Sequence, residues 1–234
     1  VAGAEVMPTS PALGGTLIGS ALVVLATLVR RERPKAAPLV PLDLLASRSF
    51  RLSALASVCC FTATAATLVA LPFHLQQGLA LPALSVGLYM SPWALSVAAT
   101  ATLAGRLSDR MGTAAPCAIG GAVLAVGMTG IVLWPSSGSP FAIAGFAAVC
   151  GVGFGLFQVP NNRNLFLAAP PERAGAAGGM QGTARLTGQT MGAMAMTTLF
   201  SIAPVAVAPR IAIAVGAVLA LAAGAISLLR APGQ

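Results

Sequence analysis

Gln181, Arg185 and Gln189 recur every fourth residue in an apolar stretch, a spacing that puts all three on one face of a helix. Gly178, Gly182, Gly188 and Gly192 fall on the same side. Two amides and a cation so aligned can hydrogen-bond a passing solute. They can equally glue helices together, with Gly178–Gly182 and Gly188–Gly192 as close-packing pairs. A lipid-facing surface is excluded, because an arginine at mid-membrane costs about 2.5–3.5 kcal/mol or more. A second polar group is FQVPNNRNLF, where Gln158, Asn161, Asn162, Arg163 and Asn164 follow or flank Pro160. Donors and acceptors this dense in an apolar run must be solvated or paired, and Arg163 can also snorkel to headgroups. A third is GRLSDRMG, Gly105 to Gly112, whose Arg106, Asp109 and Arg110 sit between long uncharged runs. They can pair with one another or with a neighbouring helix end, or simply mark a charged loop.

The elements that must carry these residues follow from composition. The 234 residues are 57% hydrophobic and only 8% charged. Soluble domains carry about 25% charged residues, so most of this chain must be solvated by lipid. Seven runs reach the roughly 20 residues that a spanning helix needs: 11–29, 52–72, 82–104, 114–134, 141–168, 174–200 and 207–229. Period-two alternation is absent, which excludes a barrel.

Twelve arginines and one lysine stand against five acids, for a net charge of +8. In a soluble protein this would point to nucleic acid; here the basic residues lie between spans and report orientation, so no nucleic-acid partner is expected. Arg30, Arg31, Arg33, Lys35, Arg48, Arg51, the GRLSDRMG cluster, Arg173 and Arg230 fall on one side, with only Arg210 and His74 opposite. The positive-inside rule makes the basic side cytoplasmic. Val1 is then outside, with no basic n-region before the first apolar run, so a longer protein is expected rather than a cleaved signal peptide. The expected organisation is a tail at 1–10, a linker span at 11–29 and a basic cytoplasmic loop with an amphipathic helix at 30–51. A six-helix domain at 52–230 and a cytoplasmic tail at 231–234 complete it.

Other chemistry finds little support. Cys59, Cys60, Cys117 and Cys150 lack metal-ligand spacing, so no metal or cofactor is expected. GVGFG lies inside a span with no preceding strand, which argues against a nucleotide loop. A single histidine and no mid-membrane acid argue against an enzyme, and the lack of a mid-membrane lysine or an extended signalling loop argues against a seven-helix receptor. Phe61, Tyr89, Trp93 and Phe157 can line an apolar cavity for aromatic or cationic compounds, or simply pack.

The GRLSDRMG loop between the second and third helices of a six-helix unit resembles the signature loop of the major facilitator superfamily. The matching residues are Gly105, Leu107, Ser108, Asp109, Arg110 and Gly112, and the usual further basic residues are replaced by Thr113, Ala114 and Ala115. LPFHLQQGLALPALSVGLYMSPWAL (71–95) and the run from Gly151 to Ala193, with Pro170, Arg173, Gly175, Arg185 and Gly188, resemble the fourteen-helix drug/proton antiporter branch. The resemblance implies the C-terminal half of such a transporter, helices eight to fourteen: an all-α membrane bundle of six helices preceded by one linker helix. It implies a conformational latch at Gly105, Arg106, Asp109, Arg110 and Gly112. It also implies a multi-pass protein of the bacterial cytoplasmic membrane whose partners are lipid, protons, an amphipathic small molecule and the absent N-terminal six-helix half. Within transporters, an exporter of a metabolite or sugar is the alternative. All five acids, Glu5, Glu32, Asp43, Asp109 and Glu172, lie in loops or at helix ends, so the coupling carboxylate is expected in the absent half.

Overall fold

The computed structural model describes residues 42–135 and 138–230, together with Ser20, Val23 and Thr27. Apart from Ser20, Val23 and Thr27, the expected span at 11–29 lies outside the described residues, as do the expected tails at 1–10 and 231–234 and most of the basic loop. The chain divides into two compact units, Val1–Asp43 and Leu44–Gln234. In the first, Ser20, Val23 and Thr27 are helical and exposed.

A 3₁₀ turn, Leu42–Ala46, spans the boundary between the units and leads into α1, Arg48–Phe73, which continues as a π-helical turn, His74–Gly78. Then come α2 (Ala83–Met111), α3 (Ala114–Leu133), α4 (Pro140–Leu167), a 3₁₀ turn (Pro171–Arg173), α5 (Ala174–Ile202) and α6 (Ala208–Leu228). Five of these helices are long and apolar enough to cross a membrane: α1 with its π turn, α2, α3, α4 and α6. The remaining one, α5, has 29 residues, enough for about 43 Å of rise against a hydrocarbon layer of about 30 Å. Its polar stripe and threonines keep its composition below that of a plain span.

Helix interiors rich in serine and threonine stay satisfied by folding hydroxyls back onto their own helix. In α1, Thr62, Thr64 and Thr67 donate to the carbonyls of Val58, Cys60 and Ala63 at 2.8–2.9 Å, so these groups can be buried without a partner elsewhere. Large apolar side chains are outward: Leu84, Leu133, Phe141 and Ile202 are each more than 70% exposed. Only lipid or protein can cover so much apolar surface.

The helices pack as a chain of neighbours, α2 on α4, α4 on α3, α3 on α6, α6 on α1 and α1 on α5. Exchanging α1, α2 and α3 for α4, α5 and α6 maps this pattern onto itself. Two three-helix repeats with matching contact patterns are therefore present. Glycines allow the contacts. A Cβ added at Gly153 would stand 2.3 Å from the Leu124 nitrogen of α3, and one at Gly151 would stand 2.2 Å from the Trp93 carbonyl of α2. The main core runs through Leu71, Leu124, Met128, Ile143, Phe157, Met196 and Ile213. A smaller cluster of Leu44, Phe50, Leu165, Ala169 and Ala177 joins the first 3₁₀ turn to α1, α4 and α5.

The structure differs from the sequence reading at GRLSDRMG. Instead of a loop, α2 stays helical through Met111 and breaks only at Gly112, whose φ of +74° suits a residue without a Cβ. Nothing between Arg106 and Met111 opposes the helix, and Arg110 in its last turn complements the negative end of the dipole. The charges therefore ride on the side of a rigid helix end.

Candidate functional site

Successive residues on a helix point about 100° apart, and in α4 four consecutive polar residues use this to reach different neighbours. Asn161, 1% exposed, donates through Nδ2 to the Ser57 hydroxyl at 2.6 Å and the Ser53 carbonyl at 3.3 Å, both on α1. Its Oδ1 accepts from Arg230, just beyond α6. Asn162 accepts from Gln181 of α5 at 3.3 Å. Arg163 forms an ion pair with Asp109 of α2. Asn164 donates to Ser53 and Ser49 at 2.6 and 3.1 Å and accepts from Thr113, in the turn before α3, at 3.0 Å. One turn of α4 thus fastens every other helix of the bundle at the basic end.

Arg230 is the unexpected member. As a charge next to the last span it read as an orientation marker, yet it is only 4% exposed. It donates to Asn161, to the Ser227 hydroxyl at 2.9 Å and to the Cys117 sulfur at 3.7 Å, while its Nε finds no acceptor among the described residues. Burial pushes its pKa below the usual guanidinium value, with Cys117 opposing the shift. A cavity of about 570 Å³ adjoins this network, with Ser108, Thr113, Arg163, Asn164 and Arg230 in its wall.

Of the loop residues, Asp109 finds its partner on α4, while Arg106 and Arg110 are exposed, and Gly105 has open space around it. Arg163, read as a pathway or snorkelling residue, belongs with Asp109. Gln158 is half-buried. The aromatic residues mostly pack: Phe61 meets Phe154 edge-on at 5.6 Å, Trp93 is buried against α4, and Phe157 is 1% exposed. Tyr89 is half-buried and stands edge-on to Phe141 at 5.7 Å.

On α5 the glycines separate into two sets. Gly188 and Gly192 press on α1, where added Cβ atoms would lie 2.7 Å from the Val58 carbonyl and 2.6 Å from that of Thr62. Ala177, Ala184 and Met196 share that buried seam. Gly182 has nothing within 4 Å, and Gly178 only the Phe166 ring. Beside the seam, Gln181 is half-buried, and Arg185 and Gln189 are exposed. The stripe therefore has glycines packed on α1 along one edge and an uncovered polar strip along the other.

Sequence reasoning missed Ser49, Ser53, Ser57, Thr113, Ser227 and Arg230. The signal for the first three was present: Ser49, Ser53 and Ser57 recur every fourth residue, a polar stripe matching the asparagines of α4.

Two three-helix repeats, apolar outer surfaces and a polar helix face left uncovered at mid-length define a helical bundle of the multi-pass membrane class. The profile of the Major Facilitator Superfamily matches residues 10–193, and the chain belongs to that family. It is 42% identical over 182 residues to the uncharacterized transporter YebQ of Escherichia coli (strain K12), a match over 76% of this chain and 40% of that protein. It is 25% identical to the riboflavin transporter RibZ of Clostridioides difficile (strain 630), over 78% of this chain and 40% of RibZ. It is 29% identical to the multidrug resistance protein Stp of Mycobacterium tuberculosis, over 75% of this chain and 33% of Stp. The chain thus spans two fifths or less of the length of these relatives.

Proposed function

We propose that this chain is the C-terminal half of a fourteen-helix, proton-coupled efflux antiporter of the bacterial cytoplasmic membrane. It exports amphipathic compounds by alternating access, with the basic end facing the cytoplasm and a linker span at 11–29 ahead of the bundle. The observation that carries this reading is the uncovered polar strip on α5, Gln181, Arg185 and Gln189, beside a tightly packed seam. A polar strip at that depth is tolerable only against water or protein, and alternating access needs such a surface between two halves. Efflux of drugs is supported by the likeness to Stp. The likeness to RibZ favours a metabolite as the second reading. Asp43, Asp109 and Glu172 all sit at helix ends, so the coupling carboxylate belongs to the remaining length of the protein.

The path is tested by cysteine accessibility in the complete transporter, with Cys59, Cys60, Cys117 and Cys150 replaced by alanine. Gln189→Cys should react with a small hydrophilic thiol reagent, and Met191→Cys, exposed on the far side of the seam, should not. Equal inertness would mean a dry strip and end the proposal.

The Asp109–Arg163 pair is the proposed latch. Both side chains are partly exposed, so as a mere surface pair it would contribute only about 0–1 kcal/mol. As a latch it holds α2 to α4 in one conformation. Asp109→Asn should then lower transport per molecule several-fold at unchanged protein level, and Asp109→Arg combined with Arg163→Asp should recover much of it. A silent Asp109→Asn would reduce the pair to a topology signal.

A further inference from the structure

The uncovered strip has a sign. Arg185 lies eleven residues into the 29-residue helix α5, which puts it within about 5 Å of the helix midpoint along the axis. It is exposed, and its guanidinium has no hydrogen-bond or ion-pair partner among the described residues. Every other described charge sits near a helix end or in a turn: Asp43, Arg48, Arg51, Arg106, Asp109, Arg110, Arg163, Glu172, Arg173, Arg210 and Arg230. Arg210 is occupied with the Val132 carbonyl at 2.6 Å, capping α3. Asp109 is taken by Arg163. Glu172 precedes Arg185 by thirteen residues, about 20 Å along the helix. No carboxylate of the described residues is therefore placed to neutralise Arg185, and no anionic group on this strip could attract a cation.

From this we infer that Arg185 sets charge selectivity, and that the transporter's substrates are amphipathic anions, or compounds with a carboxylate, sulfonate or similar acceptor, rather than the lipophilic cations. The inference rests on the proposed path along α5. A guanidinium presents five N–H donors in a planar fork and matches a carboxylate or sulfonate through two parallel bonds. Gln181 and Gln189, one turn to either side, give the anion's polar neighbours donors and acceptors without adding charge. A cation on the same strip meets an uncompensated like charge in a poorly screened site, and is disfavoured.

The test is binding to the purified complete transporter, read as fluorescence anisotropy of fluorescein, an anion, and rhodamine 6G, a cation of similar ring system. Wild type should bind fluorescein at least ten-fold more tightly than rhodamine 6G. Arg185→Gln should weaken fluorescein ten-fold or more and leave rhodamine 6G unchanged, Arg185→Lys should retain part of the preference, and Arg185→Glu should reverse it. Thermal unfolding of each variant confirms an intact fold. The inference is overturned if wild type prefers rhodamine 6G, binds both alike or binds neither. It is also overturned if Arg185→Gln alters both dyes equally or abolishes folding, the result expected where Arg185 pairs with a carboxylate elsewhere in the protein. Labelling at Gln189→Cys scores the path separately: labelling without charge preference sinks the inference alone, and no labelling sinks the path.

Discussion

Gly188→Leu should remove most of the folded transporter from the membrane, while Gly182→Leu should leave assembly close to wild type. The two glycines lie on the same helix and both belong to small-residue patterns, but their surroundings differ. At Gly188 an added Cβ would stand 2.7 Å from both the Val58 carbonyl oxygen and the Phe61 Cβ of α1. A backbone carbonyl cannot step aside as a flexible side-chain end could, so α1 and α5 would have to separate along the seam that Ala184, Gly188 and Gly192 form. Overpacking a tight core costs about 1–3 kcal/mol even when only methylenes are added. Here separation also empties the contacts of Ala177 and Met196. At Gly182 nothing lies within 4 Å, and leucine is the better helix former by several tenths of a kcal/mol. Yield and monodispersity of detergent-solubilised protein measure the difference. Gly182→Leu should still slow transport, since the leucine would project beside Gln181 and Arg185 into the proposed path. A Gly182→Leu protein that fails to fold, or a Gly188→Leu protein that folds normally, would reverse the assignment of seam and strip.

How far such assignments can be made from sequence depends on the forces involved. The limits of the six described helices lie within a few residues of the apolar runs, except at the starts and ends where polar residues continue the helix. Lipid solvation is strong and local, so apolar length alone sets a span. The GRLSDRMG stretch departed because charge marks where a helix leaves the hydrocarbon, and not where its hydrogen bonding stops; α2 runs on to Met111. Which side of α5 packs was half legible. Four glycines share one broad side of the wheel, but only the position of α1 decides that Gly188 and Gly192 are inside and Gly182 is out. Least legible was the network around α4. Asn161 and Arg230 are 69 residues apart in sequence, and no periodicity within either helix encodes that they meet. The serines of α1 carried a readable period, but a polar stripe names no partner.

Asn161→Leu should be among the most destabilising changes in the bundle, and adding Arg230→Met should restore much of the loss. Asn161 holds the carbonyl that accepts from Arg230, and its amide nitrogen ties α1 to the same point. Replacing it with leucine leaves a guanidinium that is 4% exposed with only the Ser227 hydroxyl and the Cys117 sulfur, and Nε is already without an acceptor. Removing one partner of a buried charge costs about 3–5 kcal/mol, whereas replacing the whole polar group by apolar side chains of similar volume is often neutral. At roughly 2–4 °C per kcal/mol for a domain of this size, Asn161→Leu should lower Tm by about 10 °C or more. Arg230→Met alone should cost less, because it strands only one neutral carbonyl, about 1–3 kcal/mol. The double variant should lie above the Asn161→Leu single variant in Tm. That ordering is what separates a stranded charge from a simple packing defect, for two packing defects at touching residues would deepen each other. A double variant less stable than Asn161→Leu would mean that Arg230 stabilises the bundle by its own contacts, with Asn161 a bystander to it.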